Sequence, residues 1–343
     1  MPAQKISYVL RRSKNRWLLT SIFAVMLAIV ILLGVSFGPV PLKFTEIIKS
    51  LTGMQGGLSG ADSILLFELR LPRVLLAVIV GAALATSGAV YQSVFRNPLA
   101  DPYLLGAAAG AGLGATLALT GAHRQFYSLL PVFAFIGGAL AVLSTFLIAG
   151  KFFSDPSSLL LAGIAVGSFA TAIQTYLQQR NSEVLRPVYS WILGELTVAN
   201  WSIVRWAGAY VFIALFILFR MSRLLDALML SDEEAYSLGV SPNKIRVIAV
   251  AAATLATATA VSASGLIGYV GIVIPHLIRG LTKESTNRAL PTVALAGASF
   301  LVIADLGART LLSPAELPIG VITAFVGAPF FLLVLRRRRK DAR

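Results

Sequence analysis

The feature that most constrains this chain is a series of apolar blocks, most of them close to 20 residues long, separated by short polar connections. A helix needs about 20 apolar residues to cross a hydrocarbon core of roughly 30 Å while satisfying its own backbone hydrogen bonds. The blocks lie at 17–37, 73–95, 103–122, 128–150, 158–178, 203–220, 246–264, 266–281, 290–308 and 317–335. The pattern predicts an all-α polytopic membrane protein with ten transmembrane helices.

Composition and chain organisation agree with that prediction. Charged residues make up 13% of the chain, whereas soluble domains carry about 25%. The first block is about 21 residues long and lacks a small-residue cleavage site, so we expect a retained span rather than a secretory signal. We therefore expect one transmembrane domain over 1–343. It divides into a tail at 1–16, ten helices within 17–335 and a basic tail at 336–343.

The basic residues predict the orientation of the chain in the membrane. An even number of spans places both termini on the same side. Of the 29 Lys and Arg residues, 20 lie in the two tails and in the connections on that side. The positive-inside rule therefore predicts that both termini are cytoplasmic. The formal charge of +14 does not indicate a nucleic-acid partner, because the basic clusters coincide with span ends and form no stripe interleaved with aromatic residues.

The residues that most chemistry requires are scarce. The chain has no cysteine and two histidines, His123 and His276. No phosphate-binding GxxxxGK[ST] loop, HExxH or GxSxG motif occurs. We therefore predict a non-catalytic chain that binds no metal or cofactor. If ATP hydrolysis drives its activity, a separate subunit must carry the ATP and Mg²⁺.

Small residues are frequent in the blocks, and one short pattern recurs. Residues 82–90 read AALATSGAV and residues 253–261 read ATLATATAV, with six identities in nine. These segments fall in the second and seventh blocks, and an offset of five spans reverses the direction through the membrane. The recurrence suggests an inverted repeat, a common arrangement in transport proteins. For single glycines, close helix packing is the simpler explanation and pore lining the alternative.

One connection on the predicted cytoplasmic side, 230–244, carries strong helix signals. Ser231 and Glu234 have the spacing of a capping box, and the acidic residues that follow Ser231 suit the positive end of a helix dipole. Gly239 can end that helix in a left-handed conformation, and Ser241 with Pro242 can begin another. The segment predicts two short helices joined by a sharp turn. Such a knob could fit a groove in a partner, or it could be no more than a well-capped loop.

The chain resembles the FecCD family of permeases in several stretches. They are LRLPR at 69–73, GAALATSGAVYQSVFRNPLADPYLLG at 81–106, SDEEAYSLGV at 231–240, GLIGYVGIVIPHLIR at 265–279 and AELPIGVITAFVGAPFF at 315–331. These are the membrane subunits of type II ABC importers for iron siderophores, heme and cobalamin. The resemblance implies a homodimer of ten-helix subunits in a bacterial inner membrane. It further implies two ATPase subunits and an extracytoplasmic substrate-binding protein.

The resemblance also implies roles for individual residues. The docking arginines for the binding protein would be Arg70, Arg73 and Arg309, which we expect to be exposed at the outer face. The cytoplasmic gate would use Asn97, Leu99, Ser154 and Asp155. The contact with the ATPase would use Ser231, Asp232, Glu233, Glu234, Leu238, Gly239, Val240, Ser241 and Pro242. Snorkelling to lipid headgroups could instead explain the arginines, and the prolines beside Asn97 could simply end helices.

Two other classes of protein remain as alternatives. An ion-coupled secondary transporter would need buried acids at mid-membrane, and Asp305 is the only acid well inside a block. Because Arg309 lies four residues later, we expect Asp305 to pair with it and to have a structural role. An intramembrane enzyme would need a nucleophile and a base, which the sequence does not supply. A heme-ligand role for His276 finds little support, since the Pro-His pair belongs to the family pattern whatever the cargo.

Overall fold

The computed structural model describes residues 2–121, 129–150, 156–282, 285 and 288–341. These residues form helices, turns and connections, with no strand among them. The α-helices are α1 Pro2–Ser36, α2 Phe44–Thr52, α3 Gly60–Ile64, α4 Leu71–Val94, α5 Ala107–Thr120, α6 Leu130–Ala149, α7 Pro156–Arg180, α8 Leu185–Ile192, α9 Trp201–Arg220, α10 Ser222–Ala227, α11 Asp232–Ser237, α12 Pro242–Ser264, α13 Val270–Thr282, α14 Leu290–Thr310 and α15 Ile319–Asp341. A π-helical turn, Leu65–Arg70, joins α3 to α4. The predicted all-α class is confirmed.

Each of the ten predicted blocks coincides with one helix, but the helices differ in length. Among the described residues, seven helical stretches are long and apolar enough to cross a membrane, and they lie in α1, α3–α4, α6, α7, α9, α12 and α14. Three shorter apolar helices, Ala107–Thr120, Val270–Thr282 and Ile319–Phe330, account for the remaining blocks. The chain is a multi-pass membrane protein, and ten complete spans stay a prediction.

Helix α4 occupies the centre of the fold and packs against α12, α13, α14 and α9. Two glycines on α4 permit close contact, because a Cβ at Gly81 would overlap the carbonyl of Gly297 on α14. A Cβ at Gly88 would likewise overlap the backbone of Gly271 on α13. Close helix packing through small residues therefore explains these glycines, as it commonly does in membrane helices.

The two segments of the suspected repeat pack against each other. The hydroxyl of Ser87 on α4 donates to the carbonyl of Ala253 on α12 over 3.1 Å, and the hydroxyls of Tyr91 and Thr254 lie 2.8 Å apart. Each long helix is followed by a non-helical connection and a short helix, which is α5 after α4 and α13 after α12. The matching order supports the inverted repeat, which stays a prediction.

Candidate functional site

The predicted partner-binding knob begins with a fully formed capping box. Ser231 Oγ accepts a hydrogen bond from the Glu234 N–H over 3.2 Å, and Glu234 Oε2 accepts one from the Ser231 N–H over 3.0 Å. Glu233, in the same first turn, is exposed. These bonds satisfy two of the N–H groups that a helix start leaves unpaired. Residues 232–237 therefore form α11, as the sequence predicted.

The end of α11 presents apolar side chains to the surroundings. Gly239 has φ of +75°, the left-handed conformation expected from the sequence. Just before it, Leu238 is 67% exposed and Tyr236 is 55% exposed, while Val240 after it is half-buried. An exposed leucine and tyrosine on a short, rigid turn form a surface suited to contact with another protein.

The second predicted short helix is wrong. Pro242 does occupy the first helical position, but it begins α12, a helix of 23 residues that crosses the fold. Ser241 lies at the cap position, yet its side chain makes no capping hydrogen bond. The capping signals mark a helix start without specifying how far the helix continues. The knob is consequently one short helix joined by a tight turn directly to a long central helix.

Asp232, in the first turn of α11, connects the knob to the ends of two long helices, α4 and α12. Its Oδ1 lies 2.5 Å from Nη2 of Arg96 and 3.4 Å from Nη2 of Arg246. Arg246 is 1% exposed on α12, and Arg96 follows the end of α4. Arg96 Nε also donates to the carbonyl of Leu228 over 2.7 Å. One carboxylate therefore joins α11, α12 and the end of α4.

Arg96 has an unusual backbone conformation. Its φ of +48° lies in the left-handed region, which costs a non-glycine residue on the order of 1–3 kcal/mol. The residue immediately precedes Asn97, whose Oδ1 accepts a hydrogen bond from the Leu99 N–H over 2.9 Å. Asp232 and Leu228 thus hold the side chain of Arg96 in place. The next residue in the chain is Asn97 of the predicted gate.

The predicted gate residues are only partly described. Asn97 is half-buried and Leu99 is 40% exposed, so both are accessible at the predicted cytoplasmic end of α4. Ser154 and Asp155 lie outside the described residues. Their proximity to Asn97 and Leu99 therefore stays a prediction.

The last turn of α4 and the connection after it contact α13 and the residues before it. Gln92 Oε1 accepts a hydrogen bond from Nη1 of Arg279 over 2.7 Å, and Gln92 Nε2 donates to the carbonyl of Gly271 over 3.0 Å. Further along, the hydroxyl of Tyr103 donates to the carbonyl of Ile267 over 3.0 Å. The last turn of α4 thus contacts α13, and the connection between α4 and α5 contacts the break before α13.

A wide cavity of about 680 Å³ opens between this connection, α5 and α7. Small and weakly polar residues line much of it, among them Gly106, Gly163, Gly167 and Ser168. Asp101 adds one carboxylate to the lining. Burial raises the pKa of the Asp101 carboxyl to about 6, while the hydrogen bond from the Tyr103 N–H lowers that pKa.

The predicted docking arginines lie at the opposite end of α4, and Arg70 is buried there. It is 4% exposed. Its Nη1 donates to the carbonyls of Val35 and Ser36 over 2.9 Å each, and its Nη2 donates to the carbonyl of Val40. The three bonds join the end of α1 to the start of α4. The expected exposure of Arg70 is wrong because these backbone carbonyls bind its guanidinium.

The other two arginines share one buried acid. Asp305 is 1% exposed on α14, with Oδ1 2.8 Å from Nε of Arg73 and Oδ2 3.1 Å from Nε of Arg309. Arg73 also pairs with Glu316 through both of its Nη atoms, over 3.1 and 2.8 Å. Arg309 is 3% exposed and donates to the carbonyl of Gly34 over 3.0 Å. The predicted pairing of Asp305 with Arg309 is confirmed, and the structural role of Asp305 stays a prediction. The expected exposure of Arg309 is wrong.

Three residues of this arrangement were not predicted from the sequence: Arg96, Arg246 and Gln92. In the sequence, Arg96 and Arg246 are two of the basic residues on the predicted cytoplasmic side. The one sequence signal that could have identified Arg96 is its position directly before Asn97, a predicted gate residue.

His276, considered above as a heme ligand, packs edge-on against the ring of Phe330 with centroids 5.9 Å apart.

The chain is similar to characterised transport proteins over most of its length. Residues 26–337 match the FecCD transport family. An Fe(3+) dicitrate transport system permease protein of Escherichia coli is 37% identical over 308 residues, which cover 90% of this chain and 95% of that protein. A hemin transport system permease protein of Yersinia pestis is 38% identical, covering 80% and 84%. A cobalamin import system permease protein of Halobacterium salinarum is 37% identical, covering 84% and 78%.

The fold is shared with a solved structure described as an inward-facing conformation of a metal-chelate type ABC transporter. The two chains superpose with a TM-score of 0.83 at 30% sequence identity, covering 93% of this chain and 98% of that one. Similarity of sequence and similarity of fold thus both extend over most of the chain. The chain belongs to the FecCD transport family.

Proposed function

We propose that this protein is the membrane permease subunit of an ATP-driven importer that moves an iron chelate, heme or cobalamin to the cytoplasm. The names of its relatives and the superposed metal-chelate transporter support that cargo range. The observation that carries the proposal is the capped helix α11, whose Asp232 is bonded to Arg96 directly before the predicted gate. A displacement of α11 by a partner outside the membrane domain can therefore be transmitted to the gate through the side chains of Asp232 and Arg96.

The proposed assembly contains two copies of this chain, two ATPase subunits and an extracytoplasmic substrate-binding protein. The ATPase subunits bind ATP and Mg²⁺, and this chain binds no cofactor and catalyses no reaction. Both termini lie in the cytoplasm of a bacterium, and the protein spans its inner membrane. The excess of basic residues in the tails and in 220–246 supports this orientation.

The ATPase contacts the permease at residues 231–242. Leu238 and Tyr236 are the exposed apolar groups that enter its surface. Because Ser231 and Glu234 hold α11 as a rigid unit, a displacement of its exposed end also moves Asp232. Because Arg96 and Arg246 are paired with Asp232, the ends of α4 and α12 move when Asp232 moves.

The pathway follows the cavity between α5 and α7, and Asn97, Leu99, Ser154 and Asp155 form its cytoplasmic gate. The small residues in the lining leave room for a bulky cargo and offer few groups that would retain it. At the outer end, Arg73 is the docking residue for the binding protein. Arg70 and Arg309 act there by holding α1, α4 and α14 together.

The ion-coupled alternative requires a buried acid that can change protonation during transport. Asp305 is buried, but arginines lie beside both of its oxygens. Both oxygens are therefore engaged in ion pairs that hold α4 and α14 together. The described residues therefore favour the ATP-driven function.

Gly239→Val tests the proposed ATPase contact. A β-branched residue at φ of +75° is strained by about 1–3 kcal/mol, and no described atom lies within 4 Å of the added Cβ. We expect normal insertion and dimerisation. The affinity for the ATPase should be about tenfold lower, because 1.4 kcal/mol corresponds to tenfold. Co-purification and quantitative binding in nanodiscs measure the effect.

Gly239→Asn is the matched control, because asparagine tolerates the left-handed conformation. It should bind the ATPase almost as well as the parent protein. If the Gly239→Val variant binds the ATPase with parental affinity, the ATPase does not contact this turn.

A further inference from the structure

A second cavity lies on the membrane domain, away from the gate and the predicted pathway. It is a groove of about 460 Å³ between α6 and α12, and its lining includes Phe135, Val142, Phe146, Val247, Ala251 and Ala258. The one hydroxyl in the lining is that of Thr254, which is already hydrogen-bonded to Tyr91. The groove therefore offers no free polar group, and its occupant must be hydrocarbon where it contacts the walls.

The length of the groove corresponds to one leaflet of a bilayer. Along α12 its lining runs from Val247 to Ala258. At a helical rise of 1.5 Å per residue, these positions are about 16 Å apart. The hydrocarbon core of a bilayer is roughly 30 Å thick, so one leaflet contributes about 15 Å. One acyl chain, inserted from one side of the membrane, spans that distance.

Positive charge is placed at one end of the groove. On α12, Val247, Ala251 and Ala258 line the groove at helical spacing. Lys244 precedes Val247 by three residues and therefore lies on the same face of the helix. Arg220 ends α9, which packs beside α12, and Arg223 follows in α10. All three cations are exposed. In the described part of the chain, none of them forms an ion pair with a carboxylate.

We propose that this groove binds an anionic phospholipid. One acyl chain lies between α6 and α12, and the phosphate binds Lys244, with Arg220 and Arg223 contributing positive charge. Basic pockets between transmembrane helices are typical sites for anionic headgroups. The ligand class follows from the combination of an apolar groove one leaflet long and an unpaired cation, Lys244, on the same face of α12.

The site has a consequence for the central helices. Lys244 lies in the first turn of α12, two residues after Pro242, where α12 follows the α11 turn. A bound lipid therefore contacts α12 at the end nearest to Asp232 and Arg246. The proposal does not depend on the ATPase contact, because the groove and the cations are present whatever binds α11.

Native mass spectrometry of the intact permease from nanodiscs of equal phosphatidylglycerol and phosphatidylcholine tests the site. We expect at least one phosphatidylglycerol per chain, retained in clear preference to phosphatidylcholine. Lys244→Gln should lower that preference about fivefold, the order expected for one basic residue near an anionic headgroup. Ala251→Trp should fill the groove and reduce retention of both lipids, and Ala251 is an exposed position where a larger side chain can be accommodated.

Two controls match these variants. Arg205→Gln removes an exposed charge from the start of α9, and Ile248→Trp enlarges a residue next to Val247 that does not line the groove. Both should retain lipid like the parent protein. Equal retention of the two lipids by the parent would overturn the proposal, and so would a Lys244→Gln effect no larger than that of Arg205→Gln. If Ala251→Trp changes the oligomeric state and leaves lipid retention intact, the groove is a protein interface instead.

Discussion

Replacing Asp305 with Ala is expected to destabilise the membrane domain by about 3–5 kcal/mol, the usual cost of removing one partner from a buried ion pair. The substitution would leave Arg309, which is 3% exposed, with the carbonyl of Gly34 and without its ion-pair partner. Arg73 would keep only Glu316. Two neighbouring guanidinium groups would then repel each other in a poorly solvated region.

Denaturant unfolding and size-exclusion chromatography in mild detergent measure this loss. Glu46→Ala is the control, because Glu46 pairs with Lys43 at the surface, where an ion pair contributes about 0–1 kcal/mol. Asp305→Asn should fall between the two, since it preserves the shape and one acceptor oxygen. An Asp305→Ala protein as stable as the Glu46→Ala protein would contradict the structural role of Asp305.

Asp232→Asn is expected to uncouple ATP hydrolysis from transport. The variant keeps the side-chain shape at the start of α11 but loses the charge that holds Arg96 and Arg246. Arg96 is strained, so without its partner the segment leading to Asn97 is free to relax. At equal ATPase occupancy, we expect the cargo moved per ATP to fall about tenfold.

The matched control for this uncoupling is Glu233→Gln. It removes the same charge from the adjacent residue, which is exposed and forms no ion pair in the described structure. A double-mutant cycle with Arg96→Gln isolates the pair, because two residues acting through one contact show non-additive losses. If Glu233→Gln reduces the cargo moved per ATP as much as Asp232→Asn, coupling depends on the overall charge of α11 and not on the contact between Asp232 and Arg96.

The sequence predicted those features that depend on local chemistry. The capping box at Ser231 and the left-handed turn at Gly239 are set by residues within three or four positions, and both are confirmed. The apolar blocks likewise predicted the placement of the helices, because each block must satisfy its own backbone hydrogen bonds. The break at Gly265, where two blocks meet, is also present as the end of α12.

Contacts between distant residues could not be predicted in the same way. Arg96 and Asp232 are 136 positions apart, and Arg73 and Asp305 are 232 apart. A sequence shows that such charges exist but not which of them meet. The burial of Arg70 was missed for the same reason, because its partners are backbone carbonyls at the end of α1, which carry no side-chain signal.

ATP-dependent uptake into proteoliposomes tests the central claim most directly. The permease, its ATPase and its binding protein would be reconstituted, and uptake of ferric citrate, hemin and cobalamin measured with and without enclosed ATP. We expect at least one cargo to accumulate only when ATP and all three proteins are present, and to stop when the ATPase is made hydrolysis-deficient. Accumulation by the permease alone, driven by a proton gradient in the absence of ATP, would contradict the assignment.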